Sequence, residues 1–318
     1  MNLDNEKTDA VGWERQVLER LAMSVVEERR AARRWTMFWR LVLLALVVGF
    51  AWLLFAKVPS SSAPSTPHTA LVDIKGEIGA DMEANATDIL DALRSAFADE
   101  GAQAVVMLIN SPGGSPVQAG AINDEVMRLK ALHDKPVYAV VEDTCASAAY
   151  YIAASADQIY VDKASIVGSI GVLMDGFGFT GLMEKLGVER RLLTAGSNKG
   201  FLDPFSPQTP EQREYALGML NEIHQQFIDV VRAGRGERLK ETPEMFSGLF
   251  WSGQQAVGMG LADGLGSVDY VAREVVKAEE IVDYTRRANV AERLAKRFGA
   301  AFGESFVRTL MANGWSMR

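Results

Sequence analysis

The sequence predicts an α/β fold in which helices cover a β-sheet. Strand-like apolar runs, each followed by a loop and then by a helix-like run, recur from residue 71 onwards. Repeated strand–loop–helix units of this kind are typical of α/β proteins. The chain has 318 residues, of which 48% are hydrophobic, so it contains enough apolar material for a sizeable core.

The elements of these units follow from local composition. β-Branched and other apolar runs predict buried strands, and Ala-rich or amphipathic runs predict helices. The predicted strands cover 71–74, 104–109, 137–141 and 158–161. The predicted helices cover 81–98, 116–132, 147–154 and 211–233. The polar residues 142–146 are predicted to form a tight turn between the third strand and the helix that starts at Ser147.

Ser147 stands where this turn becomes the helix. A hydroxyl at that position faces the unpaired N–H groups and the positive dipole end of the first helical turn. These surroundings suit a nucleophile, but Ser is also among the best helix N-caps. The local sequence leaves both interpretations open.

Gly113 and Gly114 lie in the loop between the second strand and its helix. Glycines allow positive φ and expose backbone N–H groups, as an oxyanion hole requires. One alternative is a phosphate-binding loop, although the spacing matches neither Gly-x-Gly-x-x-Gly nor a P-loop. The other alternative is an ordinary turn.

Composition excludes several classes of protein. The net charge of −8 argues against a general nucleic-acid-binding protein. The single cysteine, Cys145, cannot form an intrachain disulfide or a Cys-based metal cluster, and His68, His133 and His224 do not have a metal-ligand spacing. We therefore expect no metal and no cofactor. Cys145 is a rival nucleophile to Ser147, with a small buried filler as the alternative.

The N-terminal part predicts a membrane anchor. Residues 38–56 are almost continuously apolar and would span about 28 Å as a helix, close to the thickness of a hydrocarbon core. A cleaved signal peptide is the alternative, but such peptides begin nearer the N-terminus. Arginines crowd the N-terminal flank, at positions 29, 30, 33, 34 and 40. The positive-inside rule therefore predicts a cytoplasmic arm over 1–37 and a domain outside, tethered by the Pro/Ser-rich linker 57–70.

Several motifs in register give the chain a resemblance to a known family. They include Asn-Ser-Pro-Gly-Gly at 110–114, Cys-Ala-Ser-Ala-Ala-Tyr-Tyr at 145–151, Gly-Ser-Ile-Gly-Val at 168–172, Leu-Thr-Ala-Gly-Ser-Asn-Lys at 193–199, Arg-Gly at 235–236, Trp-Ser-Gly-Gln-Gln-Ala at 251–256 and Gly-Leu-Ala-Asp at 260–263. Together they resemble the signal peptide peptidase A family, membrane-bound bacterial serine peptidases with a Ser–Lys dyad.

The resemblance implies a role for particular residues. Ser147 would be the nucleophile, Lys199 the general base, Gly113 or Gly114 the source of an oxyanion N–H, and Ser169 the residue that orients the lysine. It also implies a Clp-protease/crotonase-like fold, with a peptidase domain at 71–275 and an amphipathic tail at 276–318. A departure is that Ala148 and Ala149 stand where many relatives carry glycine.

The resemblance further implies how the protein works in the cell. It would degrade cleaved signal peptides and other unfolded or membrane-associated peptides, on the periplasmic side of a bacterial cytoplasmic membrane that it crosses once. Family long forms hold two copies of the domain and this chain holds one, so we expect a homo-oligomer in which a neighbouring subunit completes the site. Nucleic acid is not an expected partner.

Serine chemistry needs a base, and no histidine stands in an evident triad placement. A lysine can act as the base when it is neutral, which requires its pKa to fall by about three units from ~10.4. Two other functions remain open: a crotonase-fold enzyme acting on an acyl thioester, and an inactive scaffold that binds peptides. The predicted export disfavours the first, and an intact Ser147 and Lys199 disfavour the second.

Overall fold

The computed structural model describes residues 33–49 and 66–286. The first range belongs to one compact unit and the second to another. The predicted arm up to residue 32, residues 50–65 and the predicted tail from residue 287 lie outside the described residues.

Residues 33–49 form helix α1, whose side chains are largely exposed. The rings of Trp35, Phe38 and Trp39 lie near one another, with centroids 5.8 to 6.0 Å apart. Across 33–49 and 66–286, no helix combines the length and the apolarity needed to cross a membrane. Residues 50–56 of the predicted span lie outside the described residues, so the membrane helix at 38–56 stays a prediction.

Residues 66–286 contain a mixed eight-stranded sheet. Its strands are β1 (His68–Lys75), β2 (Ala102–Ser111), β3 (Val137–Ala146), β4 (Gln158–Val161), β5 (Ile166–Gly168), β6 (Phe250–Ser252), β7 (Gly264–Leu265) and β8 (Ile281–Asp283). The main order is β6-β5-β3-β2-β1-β8, with β4 beside β3 and β7 beside β4. The pairs are parallel except β5 with β6. This arrangement confirms the predicted α/β class.

Helices connect the strands and cover the sheet. They are α2 (Ala86–Ala98), α3 (Pro116–Leu132), α4 (Ala148–Ala153), α5 (Thr180–Leu186), α6 (Pro210–Arg235), α7 (Gly253–Met259) and α8 (Val268–Tyr270), which continues as a π-helical turn over Val271–Val276. Several helices begin where a side-chain oxygen accepts a first-turn N–H, as Ser115 does for α3 and Thr209 for α6. These caps explain why α3 and α6 begin close to their predicted starts.

The sheet is buried on both faces, but unequally. The larger core joins residues of α2, α3, α4, α6 and α7 to one face of the strands, and a small cluster around Val106, Val140 and Val271 covers the other. Because β2 is enclosed from both sides, Val105 and Val106 are both fully buried. Burial on both faces explains the unbroken apolar run that predicted this strand.

The predicted helix 81–98 begins only at Ala86, where the Asn85 side chain accepts the N–H of Asp88. Other differences involve partners elsewhere in the chain. β1 begins at His68, which the sequence placed in the linker, because His68 Nε2 lies 3.0 Å from Tyr284 Oη and the ring is fully buried. Residues 142–146 continue β3 rather than forming a turn, since Thr144 to Ala146 pair with β5. The sheet also includes β8, which lies beyond residue 275 and pairs with β1. Each of these three differences depends on a partner distant in the sequence.

Residues 171–209, between β5 and α6, form an exposed arm. None of these residues is buried, although the arm contains α5 and several large apolar side chains. Phe177 and Leu193 are 80% and 96% exposed. Side chains of this kind normally pack against something.

Candidate active site

The ends of two adjacent strands bring the glycine loop and Ser147 together. β2 and β3 are parallel neighbours, so their carboxyl ends lie at the same edge of the sheet. Gly113 follows β2 and Ser147 follows β3. Crevices at the carboxyl ends of the strands are where open α/β sheets bind ligands.

The backbone of Ser147 is strained. Its φ of 53° and ψ of −126° are angles that glycine adopts readily and other residues rarely do. The Ser147 side chain makes no capping hydrogen bond to α4, so the N-cap interpretation is wrong. Its N–H instead donates to Gly168 O over 2.8 Å. Strained residues of this kind cluster at functional sites.

Gly113 contacts Ser147 so closely that it cannot carry a side chain. A Cβ there would lie 2.7 Å from Ser147 Cβ, 2.8 Å from Ala146 O and 3.0 Å from Ala148 N. Its φ of 108° also lies in the range that favours glycine. The structure therefore places Gly113 against Ser147, two of the candidate site residues predicted from the sequence.

The rest of the glycine loop is held rigidly by Ile78. Ile78 N–H donates to Gly113 O, and Ser115 N–H donates to Ile78 O, each over 2.8 Å. Gly113 N–H donates to Ser111 Oγ over 3.1 Å. Among the described residues, Gly114 N–H has no hydrogen-bond partner, and Gly114 is exposed. Of the two predicted donors, Gly114 is therefore the one available to a ligand.

Ser169 lies one residue beyond the carbonyl that holds Ser147. Its φ of 51° makes it a second strained residue, and its N–H donates to Leu249 O over 2.8 Å. Gly168 is packed under Trp251, because a Cβ at Gly168 would lie 2.9 Å from Trp251 Cδ1. The sequence contains Gly168 only as part of the Gly-Ser-Ile-Gly-Val motif, and no local pattern predicts the contact of its carbonyl with Ser147.

Lys199 lies on the exposed arm. Its N–H donates to Gly196 O over 3.1 Å within a turn. The lysine is exposed, and within 33–49 and 66–286 no hydrogen bond or ion pair joins its side chain to another group, Ser147 included. Within one chain, the structure thus brings Ser147, Gly113, Gly114 and Ser169 to one edge and leaves Lys199 apart in the contact network.

Cys145 is fully buried in β3, two residues before Ser147. Burial in apolar surroundings strongly raises the pKa of its thiol. A nucleophilic cysteine needs an accessible thiolate, so this environment fits a small core residue and not a nucleophile.

The C-terminal motifs lock the helix that starts after Ser147. Arg235 is buried; its Nε donates to Gly260 O and its Nη1 to Asp263 Oδ2, both over 2.9 Å. Tyr150 Oη, on α4, donates to the neighbouring Leu261 O over 2.7 Å. Burial alone would raise the pKa of Asp263, but the hydrogen bond from Arg235 and the N–H of Ile159 hold that pKa below its ordinary value. The sequence identified these motifs without indicating this bracing role.

Comparison with known proteins identifies related sequences. The family model described as peptidase family S49 matches residues 130–282. The Na(+)/H(+) antiporter NhaA of Brucella melitensis is 51% identical over 55% of this chain and 24% of its own length. A Methanocaldococcus jannaschii protein named as a protease is 35% identical over 64% of this chain and 65% of its own length.

A further relative, named as signal peptide peptidase SppA in Enterococcus faecium, is 30% identical over 63% of this chain and 58% of its own length. The chain thus covers less than two thirds of the length of each of these three proteins. The family match confirms the resemblance that the sequence motifs indicated.

Proposed function

Because residues 130–282 match the model of peptidase family S49, we propose that the chain is a serine endopeptidase with Ser147 as nucleophile and Lys199 as general base. The observation that carries the proposal is the contact of Gly113 with Ser147, at a strained turn that opens a helix. A nucleophile on such a turn, beside backbone donors, is the arrangement that acyl transfer requires.

The first step is acylation. Ser147 Oγ attacks the carbonyl carbon of the scissile peptide bond while its proton passes to Lys199 Nζ. The negative charge on the carbonyl oxygen is stabilised by the N–H of Gly114, together with the unpaired first-turn N–H of Ala148. The C–N bond then breaks, and Lys199 Nζ gives its proton to the leaving amine.

The second step is hydrolysis of the ester formed on Ser147. Lys199 Nζ takes a proton from a water molecule, whose oxygen attacks the ester carbonyl at the same backbone donors. The C–O bond to Ser147 breaks, the proton returns to Ser147 Oγ, and the carboxylic acid product leaves. Ser169, one residue from the Gly168 carbonyl that holds Ser147, is the residue that orients the lysine in this scheme.

We propose that a neighbouring copy supplies Lys199. The lysine lies on an arm without a buried residue, and that arm exposes apolar side chains such as Phe177 and Leu193. Packing of the arm on a second copy would cover these side chains and bring Lys199 to the neighbour's Ser147. A homo-oligomer of Clp-protease/crotonase-like domains follows, with sites that admit extended chains and exclude folded proteins.

The proposed substrates are signal-peptide remnants and other unfolded or membrane-associated peptides. The proposed anchor is the apolar segment 38–56, with the arginine-rich N-terminus in the cytoplasm and the domain on the periplasmic side. An alkaline phosphatase fusion after residue 70 tests this orientation. Enzyme activity is expected, because this reporter works only outside the cytoplasm, and an inactive fusion present at a normal level contradicts the orientation.

A fluorophosphonate probe tests the nucleophile directly. We expect the full chain to become labelled at Ser147, and Ser147→Ala and Lys199→Ala to lose both labelling and peptide hydrolysis while they unfold at wild-type temperature. Mass spectrometry of the labelled peptide identifies the residue. Labelling elsewhere, or unchanged hydrolysis by Ser147→Ala, rejects the assignment.

A further inference from the structure

His224 links helix α6 to the strand exit beside Ser147. Its half-buried ring lies on α6, and its Nε2 is 3.1 Å from Ile170 O. A carbonyl oxygen only accepts, so Nε2 must carry the hydrogen of this bond. Within the described residues, no backbone N–H bonds to Ile170 O, so His224 satisfies this carbonyl.

Ile170 lies at the point where the core ends and the exposed arm begins. Its own side chain is fully buried, whereas the arm from residue 171 onwards contains no buried residue. The next residue, Gly171, is packed on Gly248, where an added Cβ would lie 3.0 Å from Gly248 Cα. Ile170 precedes the arm in the chain and His224 follows it. Their hydrogen bond therefore connects the two ends of the arm.

The turn that His224 holds is the one that holds Ser147. Ser147 N–H donates to Gly168 O, and Ser169 N–H donates to Leu249 O. Ser147 and Ser169 both have positive φ, at 53° and 51°. Residues in such conformations persist only where their surroundings over-determine them. The contact of His224 with Ile170 is a further restraint on this short segment, and it comes from a side chain rather than from the sheet.

We propose that His224 is a positioning residue: its Nε2–H bond to Ile170 O fixes the 168–170 turn, and through Gly168 O it fixes the strained backbone of Ser147. The inference rests on the proposed function of Ser147 for its catalytic consequence. Its structural part, that loss of the His224 bond loosens the Ser147 N–H, is independent of that function. His224 is assigned no proton transfer, because among the described residues its ring bonds to Ile170 O and not to Ser147.

Three substitutions in the full chain separate the hydrogen bond from ring packing. His224→Phe keeps an aromatic ring and removes the donor, His224→Ala removes both, and His224→Gln keeps an N–H donor. We expect His224→Phe and His224→Ala to slow fluorophosphonate labelling of Ser147 about five- to tenfold, the factor for loss of one hydrogen bond, and His224→Gln to restore most of the rate. For peptide hydrolysis, kcat should fall and KM should stay close to wild type. His133→Phe, at the remote end of α3, is the matched control.

Hydrogen exchange supplies a readout that does not depend on activity. The peptide containing Ser147 should exchange faster in His224→Phe than in wild type, and at the wild-type rate in His224→Gln and His133→Phe. Wild-type exchange and labelling in His224→Phe would overturn the inference. Labelling of His224→Gln as slow as that of His224→Ala would also overturn it. Faster exchange in His224→Phe, together with a wild-type chain that the probe does not label, would reject the proposed function and retain the positioning contact.

Discussion

Gly113 and Ser147 approach so closely that a Cβ on Gly113 would lie 2.7 Å from the Cβ of Ser147. Gly113→Ala must therefore push the two strand ends apart and also adopt a φ of 108°. We expect labelling of Ser147 to fall at least about 100-fold, the scale of a lost oxyanion interaction. Gly120→Ala, with open space around the new methyl group, is the control and should keep wild-type activity.

The strain at Ser147 predicts a difference between two inactive variants. Ser147→Ala keeps a side chain at φ 53° and ψ −126°, whereas Ser147→Gly can adopt these angles freely. We expect Ser147→Gly to have a free energy of unfolding about 1 kcal/mol above that of Ser147→Ala. Urea denaturation measures this difference. A lower stability for Ser147→Gly would show that the conformation is not strained.

If Lys199 is the general base, its substitution by alanine or by arginine should abolish peptide hydrolysis. Lys199→Ala has no amine there, and the guanidinium group of Lys199→Arg stays protonated and cannot accept the proton of Ser147. Lys185→Ala, on the same exposed arm, should keep hydrolysis.

Subunit sharing of the site predicts complementation. Co-expression of Ser147→Ala with Lys199→Ala should restore part of the activity, because some neighbouring pairs then hold one intact Ser147 and one intact Lys199. Light scattering measures the assembly. A fully active monomer contradicts a shared site, and an oligomer without complementation assigns both residues to one subunit.

Asp263 is predicted to be the stabilising partner of a buried charge. Asp263→Asn leaves the Arg235 guanidinium, whose side chain is fully buried, without its carboxylate. We expect the free energy of unfolding to fall by about 3–5 kcal/mol. Glu241→Gln breaks the exposed pair with Arg232 and should cost less than about 1 kcal/mol. Equal losses in the two variants would contradict the bracing role of Arg235.

The lowered pKa of the Glu125 carboxyl predicts a contribution to stability that is lost in acid. The hydrogen bond from Arg128, with a further contribution from Arg94, lowers the pKa of Glu125 from 4.5 to about 2. A lowered pKa means that the ionised form stabilises the fold above about pH 4.5 and that this contribution is lost as the pH falls towards 2.

The corresponding test is the pH dependence of a variant. Glu125→Gln should reduce the free energy of unfolding by about 1 kcal/mol at pH 7, because both arginines are half exposed. This difference from wild type should shrink between pH 4.5 and pH 2. Glu100→Gln, at an exposed position, is the control for removal of one surface carboxylate. A difference that stays constant across this range would contradict the lowered pKa.

The sequence predicts the α/β class and most element positions because those depend on local composition. Helix α3 begins and ends where the periodicity and Ser115 place it, and β4 matches its predicted bounds. The glycine loop and Ser147 were also predictable, since both follow buried apolar runs. Their contact follows from β2 and β3 being parallel neighbours.

Other features depend on partners far away in the chain and could not be predicted. The extension of β3 through 146 needs β5, and the burial of His68 needs Tyr284. The strain of Ser147 arises at a junction whose composition suits an ordinary N-cap equally well. Among the described residues no contact joins Lys199 to Ser147. Local composition does not distinguish this lysine from others, and only the resemblance of its motif to a known family selected it.

The position of β8 at the edge of the sheet has a consequence for biosynthesis. Among the described residues, β1 is the first strand to be made and its outer neighbour β8 is the last. A nascent chain therefore carries an open β1 edge until residues Ile281–Asp283 have left the ribosome. The β1 edge is paired only after Ile281–Asp283 have been made, so a chain released at an earlier codon exposes this edge to other strands.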